Sequence, residues 1–258
     1  MMKYLSIFLV SAKHSVANKV GLCGNFFLLA IILYAYNQLW NVISADSNQS
    51  GLNQIFIWYL LMGEIIILSS TKVERVIEDD IKSGTMAYYL NKPVSFYFMR
   101  YSESLGPLTI TFLFLAFWGS LFVWLITSKI PFIWYHFPII LLNIYISCVI
   151  YTLLYTAVGF LALWLKEIRS LAMAVERFAF IFGGAIFPLT IYPEWFVNIA
   201  KFTPFYSLYY LSIKLIYDFS WYNLAVALGL NFMWTSIIAG FVYLAYRKLS
   251  KKVEVNGG

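Results

Sequence analysis

Charge is what this chain has least of. Only 12% of its 258 residues are Asp, Glu, Lys or Arg, against 62% hydrophobic, and the mean hydropathy is +0.76. A soluble domain carries about 25% charged and about 45–50% apolar residues, so no globular core of this size hides so much apolar surface. The chain reads as an integral membrane protein, with room for one helical bundle and little left for a soluble domain. Cysteine is scarce too. The two present, Cys23 and Cys148, both fall in apolar runs, which excludes a disulfide framework and a thiolate metal site. The two histidines, His14 and His136, are far apart in sequence, so no metal centre for hydrolysis is expected. No G-x-x-x-x-G-K-[ST] loop is present to cradle phosphate, and no G-x-S-x-G elbow to present a nucleophile. Internal repeats and low-complexity tracts are missing, as are the two matching broken helices of many inverted-repeat carriers. The net charge of +6 would suit nucleic acid if the bases were grouped. They sit at the ends of apolar runs instead, so nucleic acid is not expected as a partner.

What is there is a series of apolar runs. Six are long enough to cross a hydrocarbon core of about 30 Å at about 1.5 Å per residue: 20–40, 54–70, 106–127, 138–164, 173–191 and 221–246. Tyr34, Tyr36 and Trp40 crowd the end of the first, as an interfacial aromatic belt does. Residues 1–19 carry Lys3, Lys13, His14 and Lys19 and are too charged to span, so a helix lying at the membrane surface is expected. Their apolar run is short and lacks a small-x-small site, which speaks against a cleaved signal peptide. Glu176 and Arg177 are expected in the first turn of the fifth span, at the inner headgroups.

The positive-inside rule tests this layout. With six spans, fifteen of the eighteen Lys and Arg residues fall on one side, and only Lys129, Lys201 and Lys214 on the other. That bias places both termini in the cytoplasm.

The longest interruption of the apolar pattern is 71–104. It holds five bases (Lys72, Arg75, Lys82, Lys92, Arg100) and five of the twelve acids (Glu74, Glu78, Asp79, Asp80, Glu103). Within it Val73, Val76, Ile77 and Ile81 recur at helical spacing as one face, and Glu74, Glu78 and Lys82 lie on another. Gly84 then suits a C-terminal stop. Two readings fit: a solvated loop that stays out of the bilayer, or a helix on which a soluble partner docks. Glu64 stands inside the second span. An ionisable group there is costly and belongs in the bundle interior or near the headgroups. It either bonds a neighbouring helix or lines a path, and no second mid-span charge pairs with it, which argues against a proton-driven carrier. In FPLTIYPEWFVNIAKFTPF (187–205), Pro188, Pro193, Glu194, Trp195 and Pro204 interrupt an apolar run. A helix pair dipping into the outer leaflet at 192–220 would produce this pattern. So would an ordinary outer loop.

Six spans, an N-terminal surface helix, the long charged first loop and FPL…YPEWF…PF before the last span together resemble the ABC-2 type permeases of bacterial ABC exporters. The loop EDDIKSGTMAYYLNKPVSFYF is similar to a branch carrying a Gly and then Leu-x-Lys-Pro, here Gly84, Leu90, Lys92 and Pro93. The resemblance implies an all-α domain over 1–258 in the bacterial cytoplasmic (inner) membrane. It implies a coupling helix over 73–84, with Val73, Arg75, Val76, Ile77, Glu78, Asp79, Asp80, Ile81, Lys82 and Gly84 facing a separate ATPase that alone binds ATP and Mg. It also implies that the surface helix braces that ATPase. Re-entrant helices with Pro188, Pro193, Glu194, Trp195 and Pro204 would close the outer exit. A second copy or a paralogue would complete the path, with membrane lipid around it. The chain itself would then be no enzyme. The competing readings are an ion-driven carrier and a non-transporting assembly or immunity protein.

Overall fold

In the computed structural model, residues 2–47, 52–90, 92, 94–165 and 167–256 are described. Pro93 of the loop motif lies outside them. Helix dominates, and no strand occurs among the described residues. Among the described residues, five helical stretches are long and apolar enough to cross a membrane: Lys19–Val42, Gln54–Lys82, Phe96–Thr127, Trp134–Leu163 and Trp221–Ala245.

Helix α1 (Met2–Ala17) runs along the first third of α6 (Phe96–Thr127), from Tyr4, whose hydroxyl accepts the Ser95 N–H at 3.0 Å, to Ser11, which abuts Gly106. Helix α2 (Lys19–Ser47) continues from α1 after a break at Asn18, and pairs with α3 (Leu52–Ser69). At the far end of this pair Trp40 stacks on Phe56 at 4.1 Å. The Gln54–Lys82 stretch is not one rod. After residues 70–72 the chain restarts as α4 (Val73–Lys82), followed by α5 (Thr85–Leu90). The stop falls where the sequence placed it: Gly84 adopts φ +74°, a left-handed conformation that costs glycine little.

Helix α6 begins about ten residues earlier than the apolar run suggests, so 96–104 is its first turns rather than loop. A 3₁₀ turn, Trp134–His136, leads into α7 (Phe137–Phe160), which ends in a second 3₁₀ turn, Leu161–Leu163. The core lies between α3, α6 and α7, with Tyr59, Tyr151, Phe96 and Phe160 fully buried.

The expected fifth span is not a single helix. Helix α8 (Arg169–Phe182) stops halfway through 173–191, and Gly184 (φ +58°) turns the chain. There the Tyr59 hydroxyl of α3 donates to the Gly184 carbonyl at 2.6 Å. Phe187 then reaches Tyr36 and Trp40. Because α8 starts at Arg169, Glu176 and Arg177 stand in its second and third turns rather than its first. A 3₁₀ turn (Leu189–Ile191) and α9 (Glu194–Ala200) follow, each begun by a proline whose φ near −60° suits a helix start. A π turn (Tyr206–Leu211) runs into α10 (Ser212–Lys214), and α11 (Trp221–Asn256) closes the bundle.

Candidate functional site

Helix α4 lies across the end of α7. The approach is close: a side-chain carbon at Gly159 of α7 would sit 3.0 Å from both the Glu74 Cα and the Ile77 Cβ. Val73 and Ile77 are buried in this contact, Ile81 is half-buried, and Val76 is turned out at 44% exposure. Glu74, Glu78 and Asp80 are turned in. The apolar face expected at 73, 76, 77 and 81 is therefore divided. At roughly 100° per residue, 80, 73, 77, 81, 74 and 78 form one arc, and 82, 75, 79 and 76 the opposite one. Burial follows the first arc, so three carboxylates are carried inward with the valine and isoleucines.

Two of the three are well partnered. Arg100 of α6 grips Asp80 with both ends of its guanidinium, Nε at 2.6 Å and Nη2 at 2.9 Å, while its Nη1 meets Glu103 at 2.6 Å. The rings of Tyr89 and Phe96 flank the same guanidinium. Such a planar two-point grip fixes orientation as well as distance. Glu78 Oε1 accepts from Lys82 at 2.6 Å and from the backbone N–H of Ile168 at 3.3 Å, joining α4 to the start of α8. Glu74 is 2% exposed; Arg75 approaches one of its oxygens at 3.9 Å and the other is unpartnered among the described residues. The outward arc carries Arg75, Val76, Asp79 and Lys82, with Gly84 beyond it, all exposed. Past the turn, Tyr88 is also exposed, with the Lys92 ammonium 4.3 Å from its ring centre.

The other expected residues are elsewhere. Glu64 is buried on α3, with no ion pair among the described residues and no link to α4. Pro188 is buried, just before the small cluster of Leu189, Ala200 and Tyr210, while Pro193, Glu194 and Trp195 are exposed and Pro204 half-buried. Glu194 shares a shallow polar depression with Asn198 and Lys201, and Lys201 donates to the Asn198 side chain at 3.0 Å.

One buried feature has no counterpart among the expected residues. Asn143, Ser147, Tyr151 and Tyr155 stand four apart along α7, all buried, as a single polar seam. Ser147 meets Ser212 at 2.8 Å and receives the Asn231 amide of α11 at 3.4 Å. Tyr151 and Tyr155 share a hydrogen bond at 3.0 Å, and the ring of Tyr209 packs edge-on to Tyr151. Ser212 also donates to the Ser207 carbonyl at 3.0 Å, within the π turn. Several polar atoms here lack a partner among the described residues: both ends of the Asn143 amide, Asn231 Oδ1 and the Tyr209 hydroxyl. The i, i+4 recurrence was available as a sequence signal, hidden because tyrosine counts as apolar.

With this geometry in view, the family model described as ABC-2 family transporter protein matches residues 22–211, from the first turn of α2 through the π turn. The chain belongs to the ABC-2 transporter family. No curated protein matches it. As an ABC-2 family member it is a multi-pass membrane protein of a class of membrane subunits, generally non-catalytic and generally served by an ABC ATPase. The α4 layer, α8 and the 189–211 turns all lie inside the matched region. Helix α1, α10 and the whole of the last span, α11, lie outside it.

Proposed function

We propose that this chain is the permease subunit of an ATP-driven exporter in a bacterial cytoplasmic membrane, that it docks a separate ATPase through α4, and that it forms the translocation path with a second copy or a paralogue. The observation that carries this reading is the division of α4. Its inner arc is lashed to α6, α7 and α8 by Asp80–Arg100, Glu78–Ile168 and the Gly159 contact. Its outer arc is exposed and mixed in charge. A helix built this way passes a push on its outer face into three other helices. ATP and Mg would be held by the partner, whose closure would drive the push. The exposed arc is Arg75, Val76, Asp79 and Lys82, so the docking role falls to these. Glu78 and Asp80 act by holding the helix in place.

The topology we propose has six crossings with both termini cytoplasmic. Five are the long helices, and the sixth is a composite. Residues 168–187 run from Glu78 at the α4 end to Trp40 at the opposite end, through α8, the Gly184 turn and Phe187. Only an even number of crossings keeps fifteen of the eighteen bases on one side. Residues 192–220 are then an outer re-entrant segment. Ser212 meets the middle of α7, and Phe219 stacks on His136, at the opposite end from α4, at 3.9 Å. Pro188, Pro193, Glu194, Trp195 and Pro204 shape its turns as an outer gate, and Glu64 remains a candidate for the path.

The test is purification of the tagged chain from native membranes in mild detergent. A stoichiometric ABC ATPase is expected with the wild-type chain and not with Asp79→Lys or Val76→Asp, both on the exposed outward arc. A chain that transports without any such ATPase would end this reading in favour of an ion-driven or non-transport role.

A further inference from the structure

At the end of the bundle opposite α4, a groove is lined by α6, α7, Trp58 of α3 and the connector between α6 and α7. The groove encloses about 740 Å³, within the range of about 300–1,000 Å³ typical of small-ligand sites. Its walls are apolar, and Leu113, Phe117, Trp124 and Leu142 along it are each more than 40% exposed, so it opens outward from the bundle rather than into the core. Along α6 it runs from Phe112 to Trp124, which at about 1.5 Å per residue is about 18 Å, close to the roughly 15 Å of one leaflet of the hydrocarbon core.

Its outer rim is formed by Ile130, Phe132 and Trp134, next to the exposed Lys129. The 128–133 connector is fixed there by Trp58 Nε1, which donates to the Lys129 carbonyl at 3.2 Å, and by the Thr127 hydroxyl, which donates to the same carbonyl at 3.0 Å. Of the three bases assigned to this end, Lys214 pairs with Asp218 at 2.8 Å and Lys201 donates to Asn198. Lys129 is exposed, and its ammonium has no partner among the described residues. An unpaired cation at the headgroup level, above an apolar slot one leaflet long, complements an anionic headgroup carrying a hydrocarbon tail. Water does not satisfy such walls, and a protein partner would need its own apolar ridge matched to the slot.

Resting on the topology proposed above for which side faces out, we propose that this groove is a binding site for one phospholipid of the outer leaflet, with an acyl chain between α6 and α7 and its phosphate on Lys129. The lipid would fill the groove and hold the two helices at their present separation. That role is separate from the path for cargo.

The experiment is native mass spectrometry of the full-length chain in mild detergent, titrated with phosphatidylglycerol. One phospholipid per chain is expected to survive activation that strips the others. Leu113→Trp with Leu142→Trp, both at positions already more than half exposed, fills the groove without disturbing the core and should weaken retention by at least about tenfold. Lys129→Glu should weaken it about fivefold or more, the worth of one base near a headgroup. Retention unchanged in the double-tryptophan variant overturns the proposal. So does efficient crosslinking of Leu142→Cys between two copies in membranes (in a Cys23→Ser background), which would mean that a second chain covers the groove.

Discussion

The two buried polar regions of this molecule are built on opposite principles. In the α4 layer, Arg100 of α6 grips Asp80 at 2.6 and 2.9 Å, and Glu78, paired with Lys82 of its own helix at 2.6 Å, also takes the Ile168 N–H of another element at 3.3 Å, so charged groups pin the helix at two points. In the α7 seam the bonds are neutral hydroxyl and amide contacts, one as long as 3.4 Å, and several polar atoms are left over. A buried charge released from its partner costs several kcal/mol, whereas neutral bonds between membrane helices average about 0.6 kcal/mol. The first arrangement suits a part that must move as a body. The second suits a surface along which parts slide, because the spare donors and acceptors allow one set of bonds to be exchanged for another.

The comparison can be broken at four places, in falling order of effect. Arg100→Met strands Asp80 in the interior and should cost about 3–5 kcal/mol, read as a large drop in the melting temperature of the purified protein. Adding Asp80→Leu should recover most of it, and no recovery would mean that the pair is not the fastening. Gly159→Leu forces α4 off α7. A cost of about 1–3 kcal/mol is expected, with impaired ATPase retention even though the outward arc is untouched. Ser147→Ala should cost only about 0.6 kcal/mol if the seam is loose; a loss above about 2 kcal/mol would show that it is a lock. Asp79→Lys sharpens the contrast most at the least cost. Its stability should change by less than about 0.5 kcal/mol, as for other surface sites, yet transport should fail if the outward arc docks the ATPase as proposed.

How much of this was legible in the sequence depended on which force set each element. The long helices were readable because their length answers to the bilayer, and Gly84 because its backbone conformation favours one residue type. Val76 was misplaced because spacing alone leaves the centre of a buried arc open by a residue. Arg100 and Ile168 decided it by drawing carboxylates inward, and both are distant in sequence. The expected fifth span defeated the reading because the break at Gly183–Gly184 is stabilised by the Tyr59 hydroxyl, 125 positions away. Glu64 was expected in the bundle interior or near the headgroups, and it is buried, with no ion pair among the described residues. The serines and asparagines of the seam were passed over because each is ordinary alone, and only the fold brings Ser212 and Asn231 to Ser147.

The Glu78–Ile168 bond spans 90 residues, while the Asp80–Arg100 pair spans only 20. At about 5–20 residues synthesised per second, Arg100 reaches Asp80 about 1–4 s after Asp80 is made. Ile168 follows Glu78 by about 5–18 s, and Gly159 is scarcely earlier. During biogenesis α4 is therefore tethered at its C-terminal half first. Val73, Glu74 and Ile77 wait without their cover until α7 has been threaded into the bilayer. For those seconds the nascent chain carries a half-seated helix with its oily side open, so completion of α7 is the event that closes this end of the protein.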